Sequence, residues 1–234
     1  MAVRPVFLPD PHSLVNEQPV TFEWFAGFAA SQKQKSIRSL HAAAVTELSL
    51  HGAILEVSTK SETRLGNQLS AFNLRTEHPE HGSITLESAF QGSKVFSGSG
   101  QHDELYTIAD GREVKRRIRD LAAGQLEGFR FAGHRWELAP RTAFYDWLYL
   151  RAVRDFAEVH TEAMDELLTY RAFTDIEFNP DKSFNCQARS CALLVSLHHL
   201  GELGTVEDPA AFVKLLRESG YGAAPPSVEE ATLF

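Results

Sequence analysis

A carboxylate and an amine lie close together in an otherwise apolar stretch of the chain, LESAFQGSKVF, at residues 86–96. At 3.6 residues per helical turn, Glu87, Gln91 and Lys94 would line one edge of a helix. A carboxylate can transfer protons, and a partly neutral amine can attack a carbonyl carbon. The same spacing is typical of a core helix whose polar edge is only solvated. The stretch predicts a helix over 86–96, with either a chemical or a purely structural polar edge.

A second amine and a group of acids stand beside two predicted strands. Lys60 follows the strand candidate AILEVS at 53–58, and strand ends are common places for functional side chains. The run AFTDIEF at 172–178 alternates apolar and acidic residues, which predicts a strand with Asp175 and Glu177 on one face. Two acids on one strand face are unfavourable unless they are solvated or used. These residues are therefore further candidates for a site.

Length and composition restrict the class of protein. The chain has 234 residues, of which 43% are hydrophobic and 23% charged, as expected for one large globular domain or one domain with appendages. It contains no apolar run of about 20 residues and no apolar signal-peptide centre, so we expect a cytoplasmic protein without a membrane partner. The net charge of −8 should repel nucleic acid from the molecule as a whole, which leaves only local contacts.

Neither the cysteines nor the histidines predict a metal site or another cofactor. The two cysteines, Cys186 and Cys191, have a spacing that is not a zinc pattern, and we expect reduced, buried thiols. The sequence HPEHG at 78–82 combines metal-ligand residue types with proline and glycine, which indicate a turn instead. The basic cluster Lys33, Lys35 and Arg38 could be a solvated face or a phosphate contact.

Periodicity and turn residues predict the elements that would position these groups. Residues 1–20 are proline-rich and predict an extended arm, followed by a helix from an N-cap at Ser31 to Leu48. Helices are also predicted over 112–123, 143–159, 188–200 and 208–218, with Gly201 ending the helix at 188–200. The sequence FRFAGHRWEL predicts a hairpin, and residues 222–234 predict a flexible tail.

Four segments, taken in chain order, resemble the NADAR family: LSAFNL, LESAFQGSKVF, FYDWLYLRAV and FTDIEFNPDKSFNCQA. The resemblance covers about residues 54–201, and the second segment is the most specific of the four. The sequence departs from the family pattern at Ser88, where the family has histidine, and at 185–188, where NCQA stands in place of N-x-L-G. The segment EVSTKSE further resembles the members that act on ADP-ribosylated guanine.

The resemblance implies an α+β fold, namely a single NADAR-like domain that is mainly helical with short strands. It also implies an N-terminal extension at 1–53 packed on the core, a catalytic domain at 54–201, and a C-terminal helix and tail at 202–234. The implied activity is N-glycosidic hydrolysis that removes ADP-ribose from guanine in nucleic acid. Such a protein would be the antitoxin of a DNA ADP-ribosyltransferase toxin, with a modified guanine nucleotide or single-stranded DNA as its substrate and the cognate toxin as a possible partner.

The resemblance also implies roles for individual residues. Glu87 would act as acid, base or electrostatic stabiliser, and a lysine could form an imine with the opened ribose, with Lys60 preferred over Lys94. The remaining matched residues would bind the substrate: Ser70, Phe72, Asn73, Gln91, Trp147, Asp175, Glu177 and Asn185. Three alternatives stay open, namely an N-glycosidase for riboflavin-pathway intermediates, a non-catalytic ADP-ribose-binding or toxin-neutralising module, and a structural domain.

Overall fold

The computed structural model describes residues 1–27 and 29–222, and helices and strands are mixed along the whole of this part. The α+β class is therefore confirmed. The chain forms two compact units. Unit 1 contains Met1–Ser70 and His160–Gly204, and unit 2 contains Ala71–Val159 and the described residues from Thr205 onward. None of the helices described is long and apolar enough to cross a membrane. The domain boundaries expected at residues 53 and 201 stay a prediction.

A four-stranded sheet forms the centre of unit 1. Its strands are β1 (Ala2–Asp10), β2 (Leu14–Phe22), β3 (Ile54–Glu56) and β10 (Ala172–Thr174), in the order β2-β1-β10-β3. The first two strands form a nine-pair antiparallel hairpin, so the N-terminal residues are part of the sheet and not an arm laid on it. Strands β3 and β10 are parallel, with Glu56 in register with Thr174. The polar residues after both strands consequently leave the same edge of the sheet.

Unit 1 also contains the helices α1 (Ala30–Glu47), α2 (Arg64–Gln68), α6 (Glu162–Thr169) and α7 (Gln187–Leu200). The N-cap predicted at Ser31 is wrong, because α1 begins one residue earlier and Ala29 precedes it without a side-chain cap. The end of α7 at Gly201 is confirmed, with a left-handed φ of 73°.

The strand predicted over 172–178 is also wrong in its second half, because β10 ends at Thr174. One carboxylate oxygen of Asp175 accepts hydrogen bonds from the backbone N–H groups of Glu177 (2.9 Å) and Phe178 (3.1 Å). Aspartate commonly closes turns by this local bonding, which competes with a strand ladder. Asp175 and Glu177 therefore lie in a turn and do not share a strand face.

Unit 2 contains two antiparallel sheets. One is the hairpin of β4 (Arg75–His78) and β5 (Gly82–Thr85), and the other has the order β7-β6-β8-β9. The second sheet consists of β6 (Lys94–Phe96), β7 (Gly100–Gln101), β8 (Leu126–Phe131) and β9 (His134–Trp136). The hairpin predicted from FRFAGHRWEL is thus confirmed.

The helices of unit 2 are α3 (Leu86–Gly92), α4 (Gly111–Leu121), α5 (Ala143–Val159) and α8 (Pro209–Glu218). The last three confirm predicted helices, and the side chain of Asp208 caps α8 by accepting from the N–H of Ala210 at 2.9 Å. The flexible tail predicted for residues 222–234 falls, from 223 onward, outside the described residues.

The continuous helix predicted over 86–96 is wrong, because α3 ends at Gly92 and Lys94 begins strand β6. Strand pairing decides this change, since Lys94 lies opposite Phe129 of β8. Gly92 also has no room for a side chain, because an added Cβ would lie 2.7 Å from two ring atoms of Tyr106. Glu87 and Lys94 are consequently held by different kinds of element.

Candidate active site

The predicted site residues are divided between the two units. Unit 2 contains Glu87, Lys94, Phe72, Asn73, Gln91 and Trp147. Unit 1 contains Lys60, Ser70, Asp175, Glu177 and Asn185.

Glu87 lies in the first turn of α3, which Thr85 caps by accepting a hydrogen bond from the N–H of Ser88. The Glu87 residue is buried, with 6% of its surface exposed. One carboxylate oxygen accepts a hydrogen bond from Nε2 of Gln91 at 2.8 Å, and the other lies 3.4 Å from Nζ of Lys115 on α4. Both carboxylate oxygens are therefore fixed in position by neighbouring side chains.

Lys94 is the most deeply buried lysine of the predicted site, with 2% of its surface exposed. Burial lowers its pKa to about 8, because a buried ammonium loses its hydration; the carboxylate of Glu87 opposes this effect and the charge of Lys115 adds to it. A lysine with such a pKa is neutral in roughly one molecule in ten at pH 7. Lys94 thus has the burial and the charged neighbours that a lysine nucleophile requires.

An exposed aromatic ring stands next to Glu87. Phe72 has 37% of its surface exposed, and Nζ of Lys115 lies 4.9 Å from the centre of its ring. Gly111, the first residue of α4, packs tightly here: an added Cβ would lie 2.6 Å from Cδ1 of Phe72 and 3.2 Å from Cγ of Glu87. The glycine therefore allows α4 to begin directly beside the ring and the carboxylate.

Gln91 has spare hydrogen-bonding capacity in this cluster. Its amide nitrogen is bonded to Glu87, but its buried carbonyl oxygen Oε1 has no hydrogen-bond partner among the residues that the structure describes. Burying an acceptor without a partner is unfavourable, so a donor supplied by a ligand would stabilise it. Asn73, also predicted to bind substrate, is exposed.

Trp147 lies in the aromatic core of unit 2 and has only 2% of its surface exposed. Its Nε1 donates a hydrogen bond to the carbonyl of Val206 at 2.9 Å, and its ring centre lies 4.8 Å from that of Trp136. The ring therefore has no open face on which a base could stack. We propose a packing role for Trp147 in place of the ligand contact that the sequence predicts.

In unit 1, Lys60 belongs to a polar group at the end of β3. Its Nζ donates to Oγ1 of Thr59 at 2.9 Å and lies 3.9 Å from a carboxylate oxygen of Glu177. Thr59 in turn donates to the other Glu177 oxygen at 3.0 Å. The Lys60 side chain is 23% exposed, so this amine is far more open to water than Lys94.

Sequence reasoning missed Glu56, the last residue of β3, which is 3% exposed. Its carboxyl group accepts from the hydroxyls of Ser58 (2.6 Å) and Thr174 (2.7 Å) and from the N–H of Ile176 (2.9 Å). Burial, together with the charge of the neighbouring Asp175, raises the pKa of Glu56 to about 8. The sequence did contain a signal for this buried carboxyl group, namely a glutamate within the apolar strand AILEVS. Strands of parallel pairs are commonly buried on both faces, so a charged residue in one of them is expected to be buried.

Burial also disfavours the charged forms of two neighbours of Glu56, namely Asp175 and His41. Burial raises the pKa of Asp175, although the N–H groups of Glu177 and Phe178 act against the shift. The Thr174 hydroxyl also lies 2.8 Å from Nε2 of His41, and burial lowers the pKa of that histidine to about 4. With Glu56 ionised, the Thr174 hydroxyl donates to its carboxylate. Once Glu56 is protonated, its own hydroxyl can donate to Thr174, and Thr174 can then donate to Nε2 of neutral His41.

The other predicted residues of unit 1 differ in accessibility. Ser70 is fully buried, whereas Asn185 is half-buried just before α7 and its carbonyl accepts from the Ser183 hydroxyl at 3.3 Å. Within residues 1–27 and 29–222, no group of three histidine, cysteine or acidic residues is arranged to hold a metal. Both cysteines are free and buried, and burial raises the pKa of Cys186.

Comparison with known proteins gives one family. The model of the DarT1-associated NADAR antitoxin matches residues 2–224, nearly the whole chain. A comparison with curated proteins finds no match. The family match agrees with the motif around Glu87 and Lys94, and it extends through the N-terminal hairpin that completes the sheet of unit 1. The chain therefore belongs to the family of DarT1-associated NADAR antitoxins.

Proposed function

We propose that this antitoxin is an N-glycosidic hydrolase that removes ADP-ribose from ADP-ribosylated guanine in nucleic acid. The observation that carries the proposal is that Glu87 and Lys94 are both buried in unit 2. Burial lowers the pKa of Lys94 to about 8, and the carboxylate of Glu87 limits this decrease. A solvated helix edge would not bury both groups. Membership of an antitoxin family also implies a cognate toxin, whose modification this reaction would reverse.

The reaction has two requirements that these residues could meet. Breaking the bond between ribose C1 and a guanine nitrogen leaves positive charge at C1, and the departing nitrogen needs a proton. Glu87 would stabilise the charge at C1 or relay the proton, since its two oxygens are already oriented by Gln91 and Lys115. A guanine ring stacked on the exposed Phe72 would lie beside this carboxylate.

Lys94 offers a covalent route for the same cleavage. In the ring-opened form of the substrate, its neutral Nζ would add to C1, and the guanine nitrogen would leave with a proton as an amine. The resulting imine between Lys94 and C1 would then be hydrolysed by water, which restores the lysine and releases ADP-ribose. We prefer Lys94 to Lys60 for this step because Lys94 is buried, whereas Lys60 is partly exposed and paired with Glu177.

The test is release of ADP-ribose from an oligonucleotide that carries ADP-ribosylated guanine. We expect release by the wild-type protein and a fall of about 10²-fold or more in Glu87→Gln, the usual size of an acid–base contribution. Lys214→Ala is the matched control, because this exposed lysine belongs to the same unit and forms its ion pair with the surface residue Glu218. Circular dichroism would verify that each variant is folded.

Two outcomes would change the proposal. No release by the wild-type protein would exclude the hydrolase and favour a non-catalytic antitoxin that binds ADP-ribose or the toxin. Full activity in both Glu87→Gln and Lys94→Met would move the chemistry away from this pair. Reduction with cyanoborohydride during turnover separates the lysines, because a mass adduct on the peptide with Lys94 supports our assignment and one on the peptide with Lys60 contradicts it.

A further inference from the structure

Helix α4 carries a concentration of positive charge that is unusual for this chain. Its sequence, GREVKRRIRDL, contains five cations and two carboxylates, for a local charge of +3, whereas the whole chain has a net charge of −8. All five cationic residues are exposed, while Val114 and Ile118 on the opposite side are buried. The apolar side thus holds the helix on unit 2 and leaves the cations in solvent.

Four of these cations share one face. Arg112, Lys115, Arg116 and Arg119 follow the i, i+3, i+4, i+7 spacing, which places them in a stripe along the helix. The stripe, here called the basic face of α4, is about 10 Å long at 1.5 Å per residue. A stripe of this length is long enough to contact two or three successive phosphates of one nucleic-acid strand.

The basic face is only partly neutralised by the protein. Lys115 is paired with Glu87, and Arg116 forms two contacts of 2.7 Å with Glu113. Arg112 and Arg119, in contrast, make no ion pair with any residue in the described part of the chain. These two arginines are therefore available to an external anion. Like charges three or four residues apart destabilise a helix, and a bound anion would relieve this repulsion.

The basic face begins at the candidate active site of unit 2. Lys115 lies 3.4 Å from Glu87 and 4.9 Å from the centre of the Phe72 ring. Gly111, one residue before Arg112, packs against both of these residues. A nucleotide whose base stacks on Phe72 would consequently place a neighbouring phosphate beside the first turn of α4.

We infer that the basic face of α4 binds the phosphates of a single-stranded nucleic acid next to the modified guanine. This inference rests on the proposed function and adds to it the form of the substrate. Single-stranded binding sites combine a cationic track with an aromatic platform, and α4 with Phe72 supplies both. Because the rest of the chain is acidic, this contact holds only the nucleotides next to the modified base and does not grip a duplex.

The experiment compares a substrate with flanking nucleotides, an ADP-ribosylated deoxyoligonucleotide, and one without them, the ADP-ribosylated deoxyguanosine nucleoside. The variant Arg112→Glu/Arg119→Glu should lower kcat/KM for the oligonucleotide about 10-fold or more at low salt and leave the nucleoside reaction unchanged. Loss of two phosphate contacts should also reduce the slope of log affinity against log salt by about 1.4. Arg112→Lys/Arg119→Lys should retain the oligonucleotide activity.

The control is Arg135→Glu/Lys214→Glu, which makes the same charge change at two other exposed positions of unit 2. An equal effect in this control, an equal fall for both substrates, or no effect in the α4 variant would overturn the inference. Loss of toxin co-purification with full oligonucleotide activity would assign the basic face to the toxin instead. If the wild-type protein cleaves neither substrate, the proposed function fails. The basic face of α4 is then tested separately, by measuring the affinity of the same variants for a labelled single strand with fluorescence anisotropy.

Discussion

Replacing Glu56 by glutamine should remove a large pH dependence from the stability of unit 1. Glutamine has nearly the shape of a protonated glutamate, so its oxygen can accept from Ser58 and Ile176 while its amide donates to Thr174. The buried network is then preserved without an ionisable group. The variant thus isolates the contribution of one proton to the free energy of unfolding.

The magnitude follows from the pKa of Glu56 in the two states. Folding raises it from 4.5 to about 8, so between these values the folded state keeps a proton that the unfolded state has lost. The stabilisation by this group is therefore complete below pH 4.5 and declines as the pH rises towards 8. At about 1.4 kcal/mol per pH unit, the wild-type protein should lose on the order of 3 kcal/mol between pH 5 and pH 8 through Glu56.

The assay is denaturant unfolding of wild type and Glu56→Gln at pH 5, 6, 7 and 8, followed by both fluorescence and circular dichroism. The difference in unfolding free energy should grow in favour of the variant with each pH step, because the other titrating groups are common to both proteins. Glu47→Gln, an exposed carboxyl in the same unit, is the control and should follow the wild type. Parallel curves for wild type and Glu56→Gln would refute the reasoning, since they would mean that Glu56 titrates normally in the folded protein.

Three further predictions concern Lys94 and the glycines. The 13Cε resonance of Lys94 in an NMR titration should give a pKa of about 8. Glu87→Gln should lower this pKa, because the variant removes a negative charge that favours the ammonium form. A higher pKa in the variant would contradict this prediction. Gly111→Ala should lower stability by about 1–3 kcal/mol in thermal melts, because its Cβ would meet Phe72, and an unchanged melting temperature would show that the ring moves freely. Gly66→Ala should cost at least as much, since its Cβ would lie 2.0 Å from the backbone oxygen of Glu56, whereas Gly204→Ala has open space and should be nearly neutral.

Sequence periodicity was sufficient for the elements that depend mainly on local signals. The helix at 143–159 and the 126–136 hairpin have strong apolar patterns, and α8 has a capping aspartate followed by proline. The end of α3 at Gly92 could not be predicted in this way, because the helical spacing of Glu87 and Gln91 continues to Lys94. Pairing of Lys94 with Phe129, 35 residues away, decides that KVF is a strand.

The candidate site was predictable to a similar degree. The motif around Glu87 identified a carboxylate, an amide and an amine that the structure holds in one unit. Lys60 was predicted to follow a strand end, and its proximity to Glu177 is visible only in the structure. The burial of Lys94 and of Glu56 was not visible in the sequence, since it depends on residues distant along the chain. The alternation of apolar and acidic residues predicts a strand at Asp175. It carries no information about the hydrogen bond from the backbone N–H of Glu177 to the Asp175 side chain, which closes a turn instead.

The pairing of the N-terminal hairpin has a practical consequence for dissecting the protein. Strand β1 lies between β2 and β10, with Phe7 opposite Phe173, so it covers the edge of the strand that leads directly to Asp175. A fragment that begins at residue 54 would expose this apolar edge, and an uncovered strand edge is a template for aggregation. The shortest fragment suitable for expression therefore includes the first 22 residues.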